Sequence, residues 1–268
     1  MIDLHCHMLP GIDDGARDLS TALKMAELAV ADGITLTACT PHIYPGLFDN
    51  THAGIRQAVE DFRRELEAAG IALELTYGAD IQVVPELVSG LQQQALPTLH
   101  GSRYFLFEPP HHVALPRLED LVYDALVSGY VPVITHPERL RYIEADYAKF
   151  VTLAEQGAWI QLTGGSLLGS FGSRVQKISE RFLRDGVTHL LASDGHNLKN
   201  RTPELAAARD AAAAIVGEEE AHRLVQERPA AVIANLEPSA VAPVPALDPQ
   251  RAKAAEPPRR GWFARLFG

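Results

Sequence analysis

The sequence predicts an α/β fold whose parallel strands close into a barrel. Two observations support this prediction: seven short apolar runs alternate with segments of helical periodicity, and acidic or histidine side chains follow nearly every run. The alternation implies parallel pairing through right-handed crossovers. An open doubly wound sheet is the alternative, but it would concentrate its site at one switch point. Polar residues after nearly every strand favour the barrel, which builds its site at the carboxyl ends of its strands.

The candidate strands are short and partly β-branched, as buried strands are. They span residues 2–4, 34–39, 71–77, 104–107, 131–135, 158–162 and 189–192. The helical segments between and after them span residues 21–32, 53–69, 85–94, 118–128, 145–156, 175–185, 203–216 and 218–227. Several end at a glycine, which suits the left-handed terminator of a helix. These glycines are Gly33, Gly70, Gly129, Gly157 and Gly186.

The composition fits one large α/β domain. With 268 residues, 47% of them hydrophobic, the chain can bury a sizeable core. Its net charge of -10 argues against a nucleic-acid scaffold, which needs a clustered basic surface. The sequence has two cysteines, no signal-peptide pattern at its start and no run approaching ~20 apolar residues. We therefore expect a cytoplasmic protein with no disulfide framework.

A change in composition at about Pro238 divides the sequence into a domain, 1–237, and a tail, 238–268. Residues 238–260 are rich in proline and alanine, so we expect a flexible linker there. Drawn as a helix, the end of the tail places four apolar side chains on one face: Trp262, Phe263, Leu266 and Phe267. This segment either docks onto a protein partner or a membrane surface, or is a disordered end with incidental aromatics.

The first candidate metal ligands are His5 and His7. They alternate along the first strand, so both imidazoles point to one face and can bind one ion. The turn-rich loop that follows carries Asp13 and Asp14. We expect Asp14 to reach the same metal cluster and Asp13 to cap backbone amides.

Other candidate ligands stand just after later strands, where residues far apart in sequence converge in a barrel. They are His42, Asp80, Glu108, His136, Asp194 and His196. Glu108 directly follows an apolar run, so its carboxylate would be partly buried and needs a cation nearby. A solvated loop acid is the alternative interpretation of Asp80. Together with His5, His7 and Asp14, these residues make nine candidate ligands.

Nine ligands exceed what one or two ions need, whereas three ions would use them all. The mixture of imidazole and carboxylate suits Mn²⁺, Fe²⁺ or Zn²⁺ rather than Ca²⁺, which prefers oxygen ligands. Such a cluster lowers the pKa of a bridging water, presents a hydroxide nucleophile and neutralises charge on a phosphoryl group. The sequence therefore predicts a metal-centred hydrolase that needs no protein nucleophile.

A cysteine nucleophile is the alternative, because one class of phosphatases cradles phosphate between a cysteine and a following arginine. Neither Cys6 nor Cys39 is followed by an arginine in its loop. We interpret both as small packing residues.

Two arginines are the best candidates for binding phosphate and stabilising the transition state, Arg139 and Arg201. The planar fork of arginine matches phosphate oxygens in a bidentate way. Arg141 is better explained as a surface residue. Three aromatic residues stand in loops after strands, where they either flank an aromatic substrate or pack the loop: Tyr44, Phe48 and Phe171.

The motifs together resemble those of the polymerase and histidinol phosphatase superfamily. Within it, the sequence is similar to the bacterial manganese-dependent protein-tyrosine phosphatases of capsule and exopolysaccharide operons. The similarity runs from Met1 to about Leu236 and rests on four motifs: DLHCHMLPGIDDG at 3–15, TPH at 40–42, HPER at 136–139 and SDGHN at 193–197. One departure is Asp80, where that family usually has glutamate.

The resemblance implies a distorted seven-stranded barrel with three metal ions, which are Mn²⁺ or else Fe or Zn²⁺. It assigns His5, His7, Asp80 and Asp194 to one ion, Asp80, Glu108 and His136 to a second, and Asp14, His42 and His196 to the third. Arg139 and Arg201 match the family's phosphate-contacting arginines, and Tyr44 is a further candidate for substrate binding. The implied substrate is the phosphotyrosine tail of a membrane-associated tyrosine autokinase, whose dephosphorylation regulates polysaccharide synthesis and export.

Two other functions stay open at this point. A small-molecule phosphoesterase, such as a histidinol-phosphate phosphatase, would share the same metal site. A non-catalytic, metal-stabilised regulatory domain acting through its tail is disfavoured, because a structural site has no use for open coordination of several ions.

Overall fold

The computed structural model describes residues 1–84 and 86–249. Within these residues the chain forms nine strands, four of them buried at every residue. They are β1 (Ile2–Cys6), β2 (Leu36–Cys39), β3 (His42–Ile43), β4 (Glu74–Tyr77), β5 (Asp80–Gln82), β6 (Tyr104–Glu108), β7 (Val131–Thr135), β8 (Trp159–Thr163) and β9 (Leu190–Ala192).

The strands pair in parallel within two sheets, ordered β1-β2-β4 and β3-β5-β6-β7-β8-β9. The prediction of an α/β fold with parallel strands is therefore confirmed. A single closed sheet of seven strands is not found among the described residues. Backbone bonds nevertheless join the end of β1 to the chain after β9, because His7 N donates to Gly195 O (2.8 Å) and Asp194 N to His5 O (2.8 Å).

The second and third predicted strands, 34–39 and 71–77, form β2 and β4 of the first sheet, and each is followed by a short strand of the second sheet that was not predicted, β3 or β5. Pro41 separates β2 from β3, since proline has no N–H to give to a ladder. Gly78 separates β4 from β5 at a close approach, where a Cβ would lie 2.8 Å from Leu99 Cδ2. Each break redirects the chain just before a predicted ligand, so that His42 begins β3 and Asp80 begins β5.

Ten helices lie between and after the strands in the described part of the chain. Eight of them correspond to predicted segments, whereas α6 and α10 were not predicted. They are α1 (Leu19–Ala31), α2 (His52–Ala69), α3 (Leu87–Gln92), α4 (Leu118–Val127), α5 (Ile143–Glu155), α6 (Gly164–Leu167), α7 (Ser173–Arg184), α8 (Ala206–Val216), α9 (Glu218–His222) and α10 (Arg228–Ile233). Helix α2 shows why its bounds were predictable: Thr51 caps its first turn, and Gly70 ends it with φ of 68°.

The strands separate two apolar cores, because successive side chains point to opposite faces. In β6, Phe105 and Phe107 pack in the core beneath the helices. Tyr104 and Leu106 instead face a smaller core. Side chains from both sheets, such as Leu4 of β1, fill this smaller core. Both faces of the strands are thus covered by apolar side chains. The strand ends are therefore where a polar site can form.

The first part of the predicted linker packs against the domain, contrary to the flexible segment that we expected from its composition. Val244 is fully buried. The buried Arg228 donates from Nε to Ala242 O and from Nη2 to Pro243 O, each at 3.1 Å, and pairs with the buried Glu220 at 2.8 Å. A buried guanidinium needs acceptors, and these carbonyls supply them. The division at 237/238 stays a prediction, and the amphipathic segment with Trp262 lies outside the described residues.

Among the described residues, no helix combines the length and the apolar character that crossing a membrane would require.

We expect Arg228→Leu to lower the free energy of unfolding by about 3–5 kcal/mol, because it removes the nearer of the two cationic partners of the buried Glu220, leaving Arg223 at 3.4 Å, and takes the donors away from the carbonyls of Ala242 and Pro243. Urea denaturation measures the change. As a control, Arg184→Leu removes an exposed pair with Glu180 and should cost less than about 1 kcal/mol. Equal losses in the two variants would show that the buried pair does not tie down residues 242–243.

Candidate metal centre

The nine predicted ligands come together at the carboxyl ends of the strands. His5 Nε2 lies 3.1 Å from His7 Nε2 and 3.5 Å from Asp80 Oδ2. His42 Nδ1 lies 3.6 Å from both Asp80 Oδ2 and a Glu108 oxygen. The remaining four ligands close the cluster, with His136 Nε2 3.7 Å from Asp80 Oδ2, His196 Nε2 3.3 Å from Asp14 Oδ1, and Asp194 Oδ1 3.5 Å from His7 Nε2.

Sharp backbone turns aim several of these side chains inward. His136 and Asp194 directly follow buried strand ends and have positive φ, 35° and 50°. Side chains other than glycine rarely adopt this conformation, and it is common at functional sites. Gly15 lets the first loop fold onto the cluster, because a Cβ there would lie 2.0 Å from His7 O.

The donor atoms fall into four overlapping groups, each with all its donors within 4.8 Å of one another. The groups are His7, Asp14, His42 and His196; His5, His7 and Asp80; His42, Asp80 and Glu108; and Glu108, His111 and His136. Four residues each belong to two groups, so neighbouring ions could share the cluster: His7, His42, Asp80 and Glu108. Asp194 is outside these groups but faces His5 and His7.

Several buried donor atoms in the cluster have no hydrogen-bond partner: Asp80 Oδ2, Asp194 Oδ1 and His196 Nε2. A buried polar atom without a partner costs free energy, and a buried carboxylate costs more. All three atoms point toward other ligands of the cluster. The donor set therefore fits divalent metal ions, which would satisfy all of them.

Two carboxylates of the cluster, Asp194 and Asp80, are held ionised despite their burial. Burial favours the neutral form of Asp194, but the charges of Arg201 and Arg139 outweigh it and keep its pKa well below the ordinary value. The pKa of Asp80 is likewise held low, against burial, by His5 and His136. Burial and the nearby charge of Asp80 raise the pKa of Glu108. Negative charge is thus concentrated where a cation would be stabilised.

The surroundings shift the pKa values of two imidazoles, His5 and His7, in opposite directions. Burial opposes protonation of His5, but Asp80 and Asp194 raise its pKa to about 9. Burial and the neighbouring His196 lower the pKa of His7 to about 3. His7 is therefore neutral, the form that binds metal. The high pKa of His5 reflects carboxylates that favour a positive charge at this position, whether proton or metal ion.

A second layer of residues orients the ligands. Asp13 accepts from His7 Nδ1 at 2.7 Å and from the backbone N–H groups of Gly15 and His42. The predicted capping role of Asp13 is confirmed, and it also turns His7 Nε2 toward the cluster. Gln161 Oε1 does the same for His5, accepting from Nδ1 at 2.8 Å.

Sequence reasoning missed two residues of the site, Gln161 and His111. Gln161 interrupts the otherwise apolar strand 158–162, the one predicted strand to which no ligand was assigned. That lone polar residue was the available signal. His111 stands three residues beyond Glu108, in a loop that has no periodicity to place it.

Arg139 and Arg201 converge on one carboxylate beside the cluster. Both contact Asp194 Oδ2, Arg201 through Nη2 at 2.6 Å. The Phe171 ring lies 4.6 Å from the Arg139 guanidinium and 6.0 Å from that of Arg201. Such cation–π contacts help to hold the two guanidinium groups in place. Arg141 is exposed, in agreement with its interpretation as a surface residue.

A groove of about 500 Å³ opens beside the cluster. Its lining includes three ligands of the cluster, Asp14, His42 and Glu108, and four apolar or aromatic side chains, Tyr44, Leu47, Phe48 and Val113. Phe48 stacks on His42 with ring centroids 5.7 Å apart. Tyr44 and Phe48 therefore flank this groove, whereas Phe171 lies beside the arginines.

The two cysteines do not offer a nucleophile. Both are free and fully buried. Burial raises the pKa of Cys39 to about 12 and that of Cys6 well above its ordinary value. Their interpretation as packing residues is confirmed by this burial.

Parallel strands that end in clustered histidines and carboxylates, with two arginines alongside, define a metal-dependent hydrolase. Residues 1–234 match the family described as capsular polysaccharide synthesis, CpsB/CapC. The chain belongs to this family.

Named relatives agree with that membership. The chain is 38% identical over 201 residues to the tyrosine-protein phosphatase YwqE of Bacillus subtilis, covering 75% of this chain and 79% of that protein. It is 27% identical over 238 residues to the tyrosine-protein phosphatase CpsB of Streptococcus pneumoniae, covering 87% and 98%. A crystal structure from work on YwqE and CpsB as metal-dependent tyrosine phosphatases matches with a TM-score of 0.85 at 35% identity, covering 88% of this chain and 96% of that chain.

We expect His136→Ala to reduce metal content and to lower turnover of a phosphoester by more than about 100-fold, because it removes one donor from the cluster. Metal analysis of the purified protein and a phosphate-release assay measure the two effects. The exposed His222→Ala serves as the control. Full metal content in His136→Ala would remove His136 from the ligand set.

Proposed function

We propose that this chain is a metal-dependent protein-tyrosine phosphatase that binds three divalent ions, with Mn²⁺ preferred over Fe or Zn²⁺. The observation that carries the proposal is the pair of arginines on Asp194, next to a cluster with unpartnered buried donors. The membership of the chain in the CpsB/CapC family supports the same activity.

Three ions would divide the nine ligands by sharing Asp80. His5, His7, Asp80 and Asp194 would hold one, Asp80, Glu108 and His136 a second, and Asp14, His42 and His196 the third. The sharing of Asp80 is supported by the donor groups, because Asp80 belongs both to a group with His5 and His7 and to a group with Glu108. Bound ions would supply Lewis acidity and an activated water, so that no protein nucleophile is needed.

The arginines would bind the phosphate. Arg139 and Arg201 already share one carboxylate oxygen, so their forks converge on one side of the cluster. Arg201 Nε is buried without a partner and is free to donate to a phosphate oxygen. Charge that develops on the phosphoryl oxygens in the transition state would be stabilised by these fixed donors. Both arginines would therefore act catalytically as well as in binding.

The groove would receive the tyrosyl ring. Tyr44 and Phe48 supply aromatic walls next to His42. A volume of about 500 Å³ is in the range of small-ligand sites. Apolar side chains at its rim, Leu47 and Val113, are exposed and could contact residues that flank a phosphotyrosine.

The substrate would be the phosphotyrosine tail of a membrane-associated tyrosine autokinase in a capsule or exopolysaccharide system. The support is the CpsB/CapC family description together with the tyrosine-protein phosphatases among the relatives. The chain would work in the cytoplasm, reaching the membrane through the kinase or through the tail 238–268.

The first test compares substrates. The full-length, Mn²⁺-loaded protein is assayed with a phosphotyrosine peptide, the matched phosphoserine peptide and histidinol phosphate. We expect the phosphotyrosine peptide to have the highest kcat/KM, because its ring fills the groove. Much faster turnover of histidinol phosphate would overturn the tyrosine-phosphatase assignment in favour of a small-molecule phosphoesterase.

The second test separates phosphate binding from metal binding. Arg201→Ala should lower kcat by about 10²-fold or more with unchanged metal content, because it removes one fixed donor to the transition state. Arg141→Ala, in the exposed neighbour of the HPER turn, is the matched control and should behave like the native chain. Loss of metal in Arg201→Ala would contradict the role in phosphate binding.

A further inference from the structure

One imidazole outside the nine predicted ligands faces the cluster. His111 lies in the loop after β6, three residues beyond Glu108. Its Nε2 is 3.3 Å from Glu108 Oε1, and its ring centroid is 5.1 Å from that of His136. Its side chain is 28% exposed and lines the groove. The ring therefore stands between the cluster and the groove.

The backbone around His111 is fixed from the far side of the site. Arg141 N donates to His111 O, and Tyr142 Oη donates to Pro110 O, both at 3.0 Å. Arg141 and Tyr142 directly follow the short turn that begins after His136. These bonds tie the loop carrying His111 to the segment carrying His136, so the spacing of the two imidazoles is set by the fold.

Glu108 offers its two oxygens to different sides. Oε2 lies 3.6 Å from His42 Nδ1, on the side shared with Asp80. Oε1 lies 3.8 Å from His136 Nε2 and 3.3 Å from His111 Nε2. On the Oε1 side, one carboxylate and two imidazoles therefore present donor atoms within 4.8 Å of one another.

We propose that His111 is a ligand of the ion bound by Glu108 and His136. Two imidazoles and a carboxylate form a donor set that suits Mn²⁺, Fe²⁺ or Zn²⁺. The proposal rests on the metal centre proposed above and adds a ligand from the wall of the groove. A substrate entering the groove would then pass directly over a side chain that coordinates metal.

A metal titration tests the proposal without substrate. The full-length chain is stripped with a chelator and titrated with MnCl₂, and the free Mn²⁺ is followed by electron paramagnetic resonance. His111→Gln should weaken the binding of one equivalent by about tenfold or more, because it removes a donor. The adjacent, exposed His112→Gln is the matched control and should bind Mn²⁺ like the native chain. His111→Asp should recover part of the affinity.

Two outcomes would overturn the proposal in distinguishable ways. If the native chain binds Mn²⁺ and His111→Gln binds it with the same affinities, His111 is not a ligand and the metal centre stands. If the native chain binds no Mn²⁺, the metal centre fails as well. X-ray absorption on the loaded proteins completes the test, with fewer imidazole ligands expected in His111→Gln than in His112→Gln. An unchanged imidazole count despite weaker binding would mean that His111 only orients Glu108, which also overturns the proposal.

Discussion

The site depends on keeping Asp80 and Asp194 ionised where neither side chain reaches water. Isolated, such carboxylates would take up protons or destabilise the fold. Arg139 and Arg201 compensate one oxygen of Asp194 but leave the other unpaired. The remaining negative charge favours cations in the cluster, and in the proposed function the same arginines would bind an anionic phosphate. Asp194 thus couples the two halves of the proposed chemistry.

Strand geometry explains why this charge collects in one place. Both faces of the strands are covered by apolar cores, so polar side chains from several strands can gather only where the strands end. The breaks at Pro41 and Gly78 create two extra strand starts at the rim of the second sheet. His42 and Asp80 occupy those starts and lie side by side in the parallel register. Local backbone breaks therefore build a part of the site that unbroken strands would not.

Much of the fold and site was predictable from sequence, because buried strands and the polar residues after them leave a local pattern. All nine expected ligands converge, although their binding of metal stays a prediction. The short extra strands β3 and β5 were not predictable, because which sheet a residue joins depends on distant partners. His111 was missed because its position is set by bonds from Arg141 and Tyr142, which no local pattern encodes. The composition of the segment also gave no sign that Val244 is buried next to the bonds from Arg228 to Ala242 and Pro243.

The contact of Arg228 with Ala242 and Pro243 holds the chain near residue 246 at one end of the domain, opposite the metal cluster. Ala246 N donates to Gly186 O, in the turn that precedes β9, whereas the cluster lies beyond the opposite ends of the strands. The chain near residue 246 and the mouth of the groove therefore point away from each other. A molecule anchored to a surface through its C-terminal side would turn its groove outward, so attachment and access would not compete for the same space.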